Sequence, residues 1–138
     1  MTSSIESVQL IQLPCHTTDS GNLVVIEGLN HVPFRIQRVF MVQGSTGSVR
    51  GMHAHKQCTQ FLICSSGAAE VVCDDGDRSM RTVLDSPRAG LLIPSGIWST
   101  QSYIKKDTVL NVLCDQYYQE SDYIRNYDDF LRYRASTK

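Results

Sequence analysis

No stretch of this chain approaches the roughly 20 consecutive apolar residues that a membrane-spanning helix needs. The opening MTSSIESVQL has neither the basic segment nor the apolar run of a secretion signal. The expectation is a soluble, cytoplasmic protein without a membrane partner. An excess of charge is missing too: 13 Lys and Arg stand against 14 Asp and Glu, a net of -1. The chain therefore lacks a broad electrostatic footprint for nucleic acid, and a small ligand held by a few local charges suits it better. Five cysteines, at 15, 58, 64, 73 and 114, are an odd number without a CxxC pair, which argues against a disulfide framework and a zinc knuckle alike. Cys64, Cys73 and Cys114 end or interrupt apolar runs and read as small core hydrophobes. Repeats, linkers and low-complexity tracts are absent, and no long helical period occurs before residue 120.

What is present is a succession of short β-like runs: 8–13, 23–27, 34–42, 60–64, 68–73, 81–84, 90–94 and 108–114. Turn chemistry separates them, as at Asp19-Ser20-Gly21-Asn22, Gly44-Ser45-Thr46-Gly47 and Pro94-Ser95-Gly96. Asp75-Gly76 between two runs predicts a two-residue hairpin turn, because both central positions of a type I′ turn need positive φ. A length of 138 residues with 41% apolar content supports one core, so a single domain over 1–138 is expected. The pattern is that of an all-β antiparallel sandwich or barrel. One helix is expected at the end, capped by Ser121, with Asp122 at its positive pole and Ile124, Tyr127 and Leu131 at helical spacing. It should pack outside the barrel, and the tyrosines around it read as packing.

Two histidines in RGMHAHK, His53 and His55, leave the same face if the segment is extended. Around them the spacing runs Gly47, five residues, His53-Ala54-His55, four residues, Gln60, six residues, Gly67. This resembles the first motif of the cupin superfamily, G(x)5HxH(x)4E(x)6G, with Gln60 at the place of the metal-binding glutamate. Pro94-Ser95-Gly96-Ile97-Trp98 resembles the second motif, PxG(x)2H, with Ser99 at the place of its histidine. Divalent transition metals want three or four anionic or imidazole ligands, and two of the four in this frame remain. The pocket is therefore expected to hold no metal, which frees the imidazoles for proton transfer near neutrality.

A narrower resemblance covers about Asp19 to Leu131. PFRIQRVFMV, RGMHAHKQCTQFLICSSG, VVCDDG, GLLIPSGIW, VLNVLC and SDYIRNYDDFL look like the dTDP-4-oxo-6-deoxyglucose 3,4-ketoisomerases of bacterial surface glycan synthesis. The resemblance implies a cupin jelly-roll barrel of antiparallel strands with a short C-terminal helix. It also implies a homodimer that often exchanges N-terminal strands, a dTDP-linked 4-keto-6-deoxyhexose substrate, no cofactor, and catalysis by paired histidines, which fall on His53 and His55. Ser20 stands where family members often place arginine or tyrosine, which leaves the stereochemistry of the product open.

Moving a ketone from C4 to C3 takes a proton from C3, passes through an enediolate, and returns a proton to C4. Such a site needs a base, an acid and donors for the transient oxyanion. Gln60, Ser99 and Tyr103 are the candidate donors. Arg38, which shares a strand face with Ile36 and Phe40, is a candidate for the diphosphate, as are Arg50 and Lys56 beside the histidines. Trp98 is a candidate for stacking on a base or sugar. Three alternatives remain at this point: a non-catalytic sugar-nucleotide-binding cupin, a metal-dependent cupin, and a 3,5-epimerase. The last normally pairs its histidine with an aspartate, and none is evident in the sequence.

Overall fold

A computed structural model describes residues 3–137. Met1, Thr2 and Lys138, the ends of the expected domain, lie outside the described residues. Among the described residues twelve strands form in chain order. These are β1 (Gln9–Gln12), β2 (Cys15–Thr18), β3 (Gly21–Val24), β4 (Arg38–Gly44), β5 (Val49–His55) and β6 (Gln60–Ser66). After them come β7 (Ala69–Asp74), β8 (Ser79–Leu84), β9 (Ala89–Ile93), β10 (Trp98–Tyr103), β11 (Thr108–Cys114) and β12 (Tyr123–Ile124), and then a helix, α1 (Tyr127–Thr137).

Two antiparallel five-stranded sheets, β1-β9-β6-β11-β4 and β12-β5-β10-β7-β8, face each other in the expected jelly roll, and β2-β3 forms a separate ribbon. Alternation along each strand turns one set of side chains inward. Leu62, Cys64, Leu91, Ile93, Leu110 and Val112 from the first sheet meet Ala69, Val71, Cys73, Leu84 and Tyr103 from the second. The outer face of the first sheet is apolar as well. Phe61, Ile63, Leu92 and Leu113 are covered there by Leu13, Val32 and Phe34 of the N-terminal third. Burial on both faces explains why β6 reads as an unbroken apolar run rather than an alternating one.

Two local expectations differ from what forms. The turn at Asp75-Gly76 spans residues 75–78, and among its described residues only Gly76 has positive φ (95°). The buried Asp75 carboxylate decides this by accepting N–H bonds from Asp77 (2.9 Å), Arg78 (2.8 Å) and Ile5 (2.8 Å). A two-residue turn would leave that acceptor nothing to close on. The helix begins at Tyr127 rather than after Ser121, because Asn126 Oδ1 accepts the Asp129 N–H (3.0 Å) and caps it. It does pack outside, where Phe130 lies on Ala54 and Ile124 against the outer face of the second sheet.

Candidate active site

β5 carries the histidine pair and is irregular where it does so. Its register against β10 shifts between Ser99↔His53 and Thr100↔Gly51, leaving Met52 as an extra residue with φ 50°. A bulge of this kind bends the strand and re-aims side chains. Here it turns the Gly51 carbonyl back onto the His53 ring, whose Nδ1 lies 2.8 Å away. Gly51 has φ 85°, and a Cβ on it would stand 2.6 Å from Gln101 Oε1. No other residue type fits that position without displacing Gln101.

Past the bulge the alternation is regular. Ala54 faces α1, and His53 and His55 face the opposite way with ring centroids 4.9 Å apart in an edge-on arrangement. His55 Nδ1 meets Asp122 Oδ2 at 2.9 Å. A carboxylate only accepts, so Nδ1 carries the proton and Nε2 keeps its lone pair. That Nε2 is buried and has no partner among the described residues. The same logic applies to His53, because a carbonyl also only accepts, so its Nδ1 donates to Gly51.

Burial, followed by the neighbouring His55, pushes His53 down to about 4 from 6.5. Burial also lowers His55, but there the Asp122 hydrogen bond and charge pull the other way. Both rings are thus neutral at pH 7, and the carboxylate makes His55 the better proton acceptor.

The aspartate comes from the tail. A 3-10 turn, Glu120–Asp122, runs into β12, and Tyr123 and Ile124 pair with His55 and Ala54 of β5. Asp122 is tied down on every side: Oδ1 accepts the Gln57 N–H (2.7 Å), Oδ2 the Cys58 N–H (3.3 Å), and its carbonyl the Lys56 N–H (2.9 Å). Tyr123 lies against both imidazoles, 5.0 Å from His53 and 4.3 Å from His55 between ring centroids. Its hydroxyl accepts from Arg38 (3.4 Å), and the Arg125 guanidinium covers its ring at 4.3 Å.

A cavity of about 100 Å³ opens beside His53, lined by Phe40, Val42, Arg50, Gln60, Gln101 and Val112 among others. Of the sequence candidates, Arg50 stands at this cavity and Gln60 in its wall, where its Nε2 donates to Cys114 Sγ (3.6 Å). Ser99 is buried directly across the ladder from His53, and its Oγ accepts from Gln101 (3.2 Å). Arg38 reaches the pair through Tyr123, with its guanidinium over the rings of Phe40 (4.6 Å) and Tyr118 (5.2 Å).

Three candidates stand elsewhere. Lys56 follows His55 and so points to the other side, lining an outer groove with Arg125, Arg132 and Tyr133. Trp98 faces out of the barrel, packed on Tyr127 and Phe130 of α1. Tyr103 faces inward but sits at the far end of β10, its ring over Gly44. It lies four residues beyond Ser99, about 13 Å along the strand. Asp122, Tyr123 and Gln101 escaped the sequence reading. The DYIR stretch held the first two, but nothing in it said that they fold back onto β5.

A family model described as "WxcM-like, C-terminal" and labelled FdtA matches residues 6–135. The chain belongs to this family. A curated relative, the TDP-4-oxo-6-deoxy-alpha-D-glucose-3,4-oxoisomerase of Aneurinibacillus thermoaerophilus, is 41% identical over 116 residues, 83% of this chain and 84% of the relative. Among solved structures, the sugar 3,4-ketoisomerase QdtA of Thermoanaerobacterium thermosaccharolyticum in complex with TDP superposes with a TM-score of 0.92 at 32% identity, covering 97% of this chain and 98% of QdtA. A histidine-to-asparagine mutant of QdtA, in complex with TDP-4-keto-6-deoxyglucose, gives 0.92 at 32% over 96% and 97%. The 3,4-ketoisomerase of Helicobacter canadensis gives 0.90 at 32% over 94% and 98%.

Proposed function

We propose that this enzyme moves the keto group of TDP-4-keto-6-deoxyglucose from C4 to C3, with His55 as the base that opens the reaction. The observation that carries the reading is the unpartnered, buried Nε2 of His55, given its lone pair by the Asp122 carboxylate behind the ring. Family membership supports the reaction class, an isomerisation between a keto and a hydroxyl group.

In this reading Nε2 of His55 takes the C3 proton, and the carboxylate steadies the imidazolium that results. Charge develops on the O4 oxygen of the enediolate, where the amide N–H groups of Gln60 and Gln101 and the Ser99 hydroxyl are the donors at hand. His53, 4.9 Å from its partner, takes the O3 hydroxyl proton on Nε2 and hands it to C4 as the C3 ketone forms, while His55 returns its proton to O4. It is a weak base held neutral, suited to relaying a proton rather than storing one. A cavity of this size takes the reacting edge of a pyranose and no more. The nucleotide then lies outside it, with Arg38 and Arg50 as candidate cations for the diphosphate.

A cytoplasmic place and a role in surface glycan synthesis belong to the same proposal. So does a homodimer built on the free edge of β1, which in this structure pairs on its other side with β9 of its own chain. Sedimentation at micromolar concentration checks the dimer.

The reaction is tested by NMR of the product formed from TDP-4-keto-6-deoxyglucose in deuterated water. A 3-keto product with solvent deuterium at C4 is expected. A 4-keto product inverted at C3 or C5 would make the enzyme an epimerase, and His55→Asn with undiminished turnover would remove the assigned base.

A further inference from the structure

Beside the Asp122 carboxylate, the Nδ1 edge of His55 also adjoins thiols that the isomerisation does not use. An imidazole nitrogen of His55, the Cys58 thiol and an Asp122 carboxylate oxygen all lie within 4.8 Å of one another. His55 and Cys58 are buried and Asp122 is half-buried. A fourth donor adjoins them: Cys58 and Cys114 lie in one buried cluster. This is not the inward set of the cupin frame. Gln60 and Ser99 belong to the barrel interior, whereas Cys58 and Asp122 come from the loop after β5 and from the tail.

We propose that His55, Cys58 and Asp122 form a zinc site, with Cys114 in reach as a second sulfur, and that zinc bound there stops the isomerase. Imidazole, thiolate and carboxylate together select zinc or cobalt over magnesium or calcium, which prefer all-oxygen shells. Zinc–ligand bonds of about 2.0–2.3 Å require the donors to close in by roughly an ångström. Rotation of the Cys58 side chain supplies most of that, since its thiol now does no more than touch the Thr59 carbonyl at 3.6 Å.

The proton balance explains the inhibition. Cys58 gives its proton to solvent. A neutral imidazole bound through Nδ1 keeps its single proton on Nε2, so the lone pair assigned to the C3 proton is gone. The inhibitory half of the proposal rests on the reading of His55 as base, whereas the binding half does not.

Cobalt(II) added to chelator-treated protein reports coordination without turnover. The expected result is a thiolate-to-cobalt charge-transfer band with intense tetrahedral visible bands, both bleached by one zinc per chain. In parallel, zinc should abolish turnover reversibly, and chelator should restore it. Cys58→Ser should weaken the charge-transfer band to no more than one sulfur supplies, keep full turnover in chelator, and tolerate about 100-fold more zinc; Cys58→Ala serves if the serine variant does not fold. Absence of the band in the wild type overturns the site, and so does equal zinc sensitivity in the wild type and the Cys58 variants. A normal cobalt spectrum in a protein that never isomerises the sugar supports the site while sinking the catalytic reading.

Discussion

Asp122→Asn tests the catalytic reading where it is most exposed. The carboxylate accepts three hydrogen bonds through two oxygens: His55 Nδ1–H at 2.9 Å and Cys58 N–H at 3.3 Å on Oδ2, and Gln57 N–H at 2.7 Å on Oδ1. Asparagine has one acceptor oxygen and one NH2 donor, so it cannot face donors on both sides. If its oxygen faces Gln57, the NH2 faces His55, and the imidazole must move its proton to Nε2 to accept. The base is then lost. If the oxygen faces His55, the NH2 opposes the Gln57 N–H and a charge-assisted bond is lost from the loop.

The first orientation costs activity and the second costs mainly stability, about 1.5–3 kcal/mol. The same exchange in serine protease triads lowers kcat about 10,000-fold, roughly 5.5 kcal/mol of barrier, through the wrong tautomer. We expect a loss between about 100-fold and 10,000-fold here. Asp122 does not touch the sugar in this reading, so KM should stay near that of the native enzyme. The assay is single-turnover deuterium uptake into the sugar, with a urea unfolding curve to separate folding from chemistry. A folded variant with kcat within about threefold of native would refute the assignment of His55 as a carboxylate-supported base.

Three further outcomes follow from the geometry. His53 sits at about 4 instead of 6.5, so unfolding lets it take up a proton once the pH falls below 6.5. The stabilisation is complete above pH 6.5 and declines towards pH 4 by up to about 3 kcal/mol; urea midpoints should fall over that range and do so less steeply in His53→Gln. Trp98→Ala should cost about 2 kcal/mol by undoing the contact of α1 with the second sheet, while calorimetric affinity for TDP is unchanged; weakened TDP binding in a folded variant would put Trp98 at the ligand after all. Gly51→Ala should lose most turnover together with about 1–2 kcal/mol of stability, since it strains φ 85° and pushes on Gln101; normal kinetics would show that the bulge does not aim His53.

How much of this was legible in sequence depends on what each strand faces. β6, β7, β9 and β11 line the core and were visible as apolar runs. β10, WSTQSY, was invisible because its inward positions are Ser99, Gln101 and Tyr103. Two of these three are polar, Gln101 lining the cavity beside His53, and they erase the alternation that marks a strand. The Asp75-Gly76 turn was visible in place but wrong in type, because the buried carboxylate that widens it takes a bond from Ile5, 70 residues away. The helix was displaced for a related reason. Ser and Asp at 121–122 are good capping residues, and nothing local distinguishes an aspartate that caps from one claimed by His55, 67 residues upstream.

That displaced aspartate also changes how the histidine motif reads. The sequence counted against the 3,5-epimerase alternative because no partner aspartate was evident, yet Asp122 stands behind His55 as such a partner would. Presence of a His–Asp pair therefore does not separate epimerase from ketoisomerase, and the case for 3,4-isomerisation rests on the family and on the second imidazole 4.9 Å away. Position decides what the carboxylate does. At residue 60 it would enter the cavity beside His53 and complete a metal shell. Behind His55 it stays out of the cavity and fixes a tautomer, and in the proposed reaction glutamine at 60 leaves an uncharged donor for the enediolate. In the proposed reading, glutamine in place of glutamate inside the barrel, with a tail aspartate supporting the ring outside it, turns a ligand set into an acid–base pair without moving either histidine.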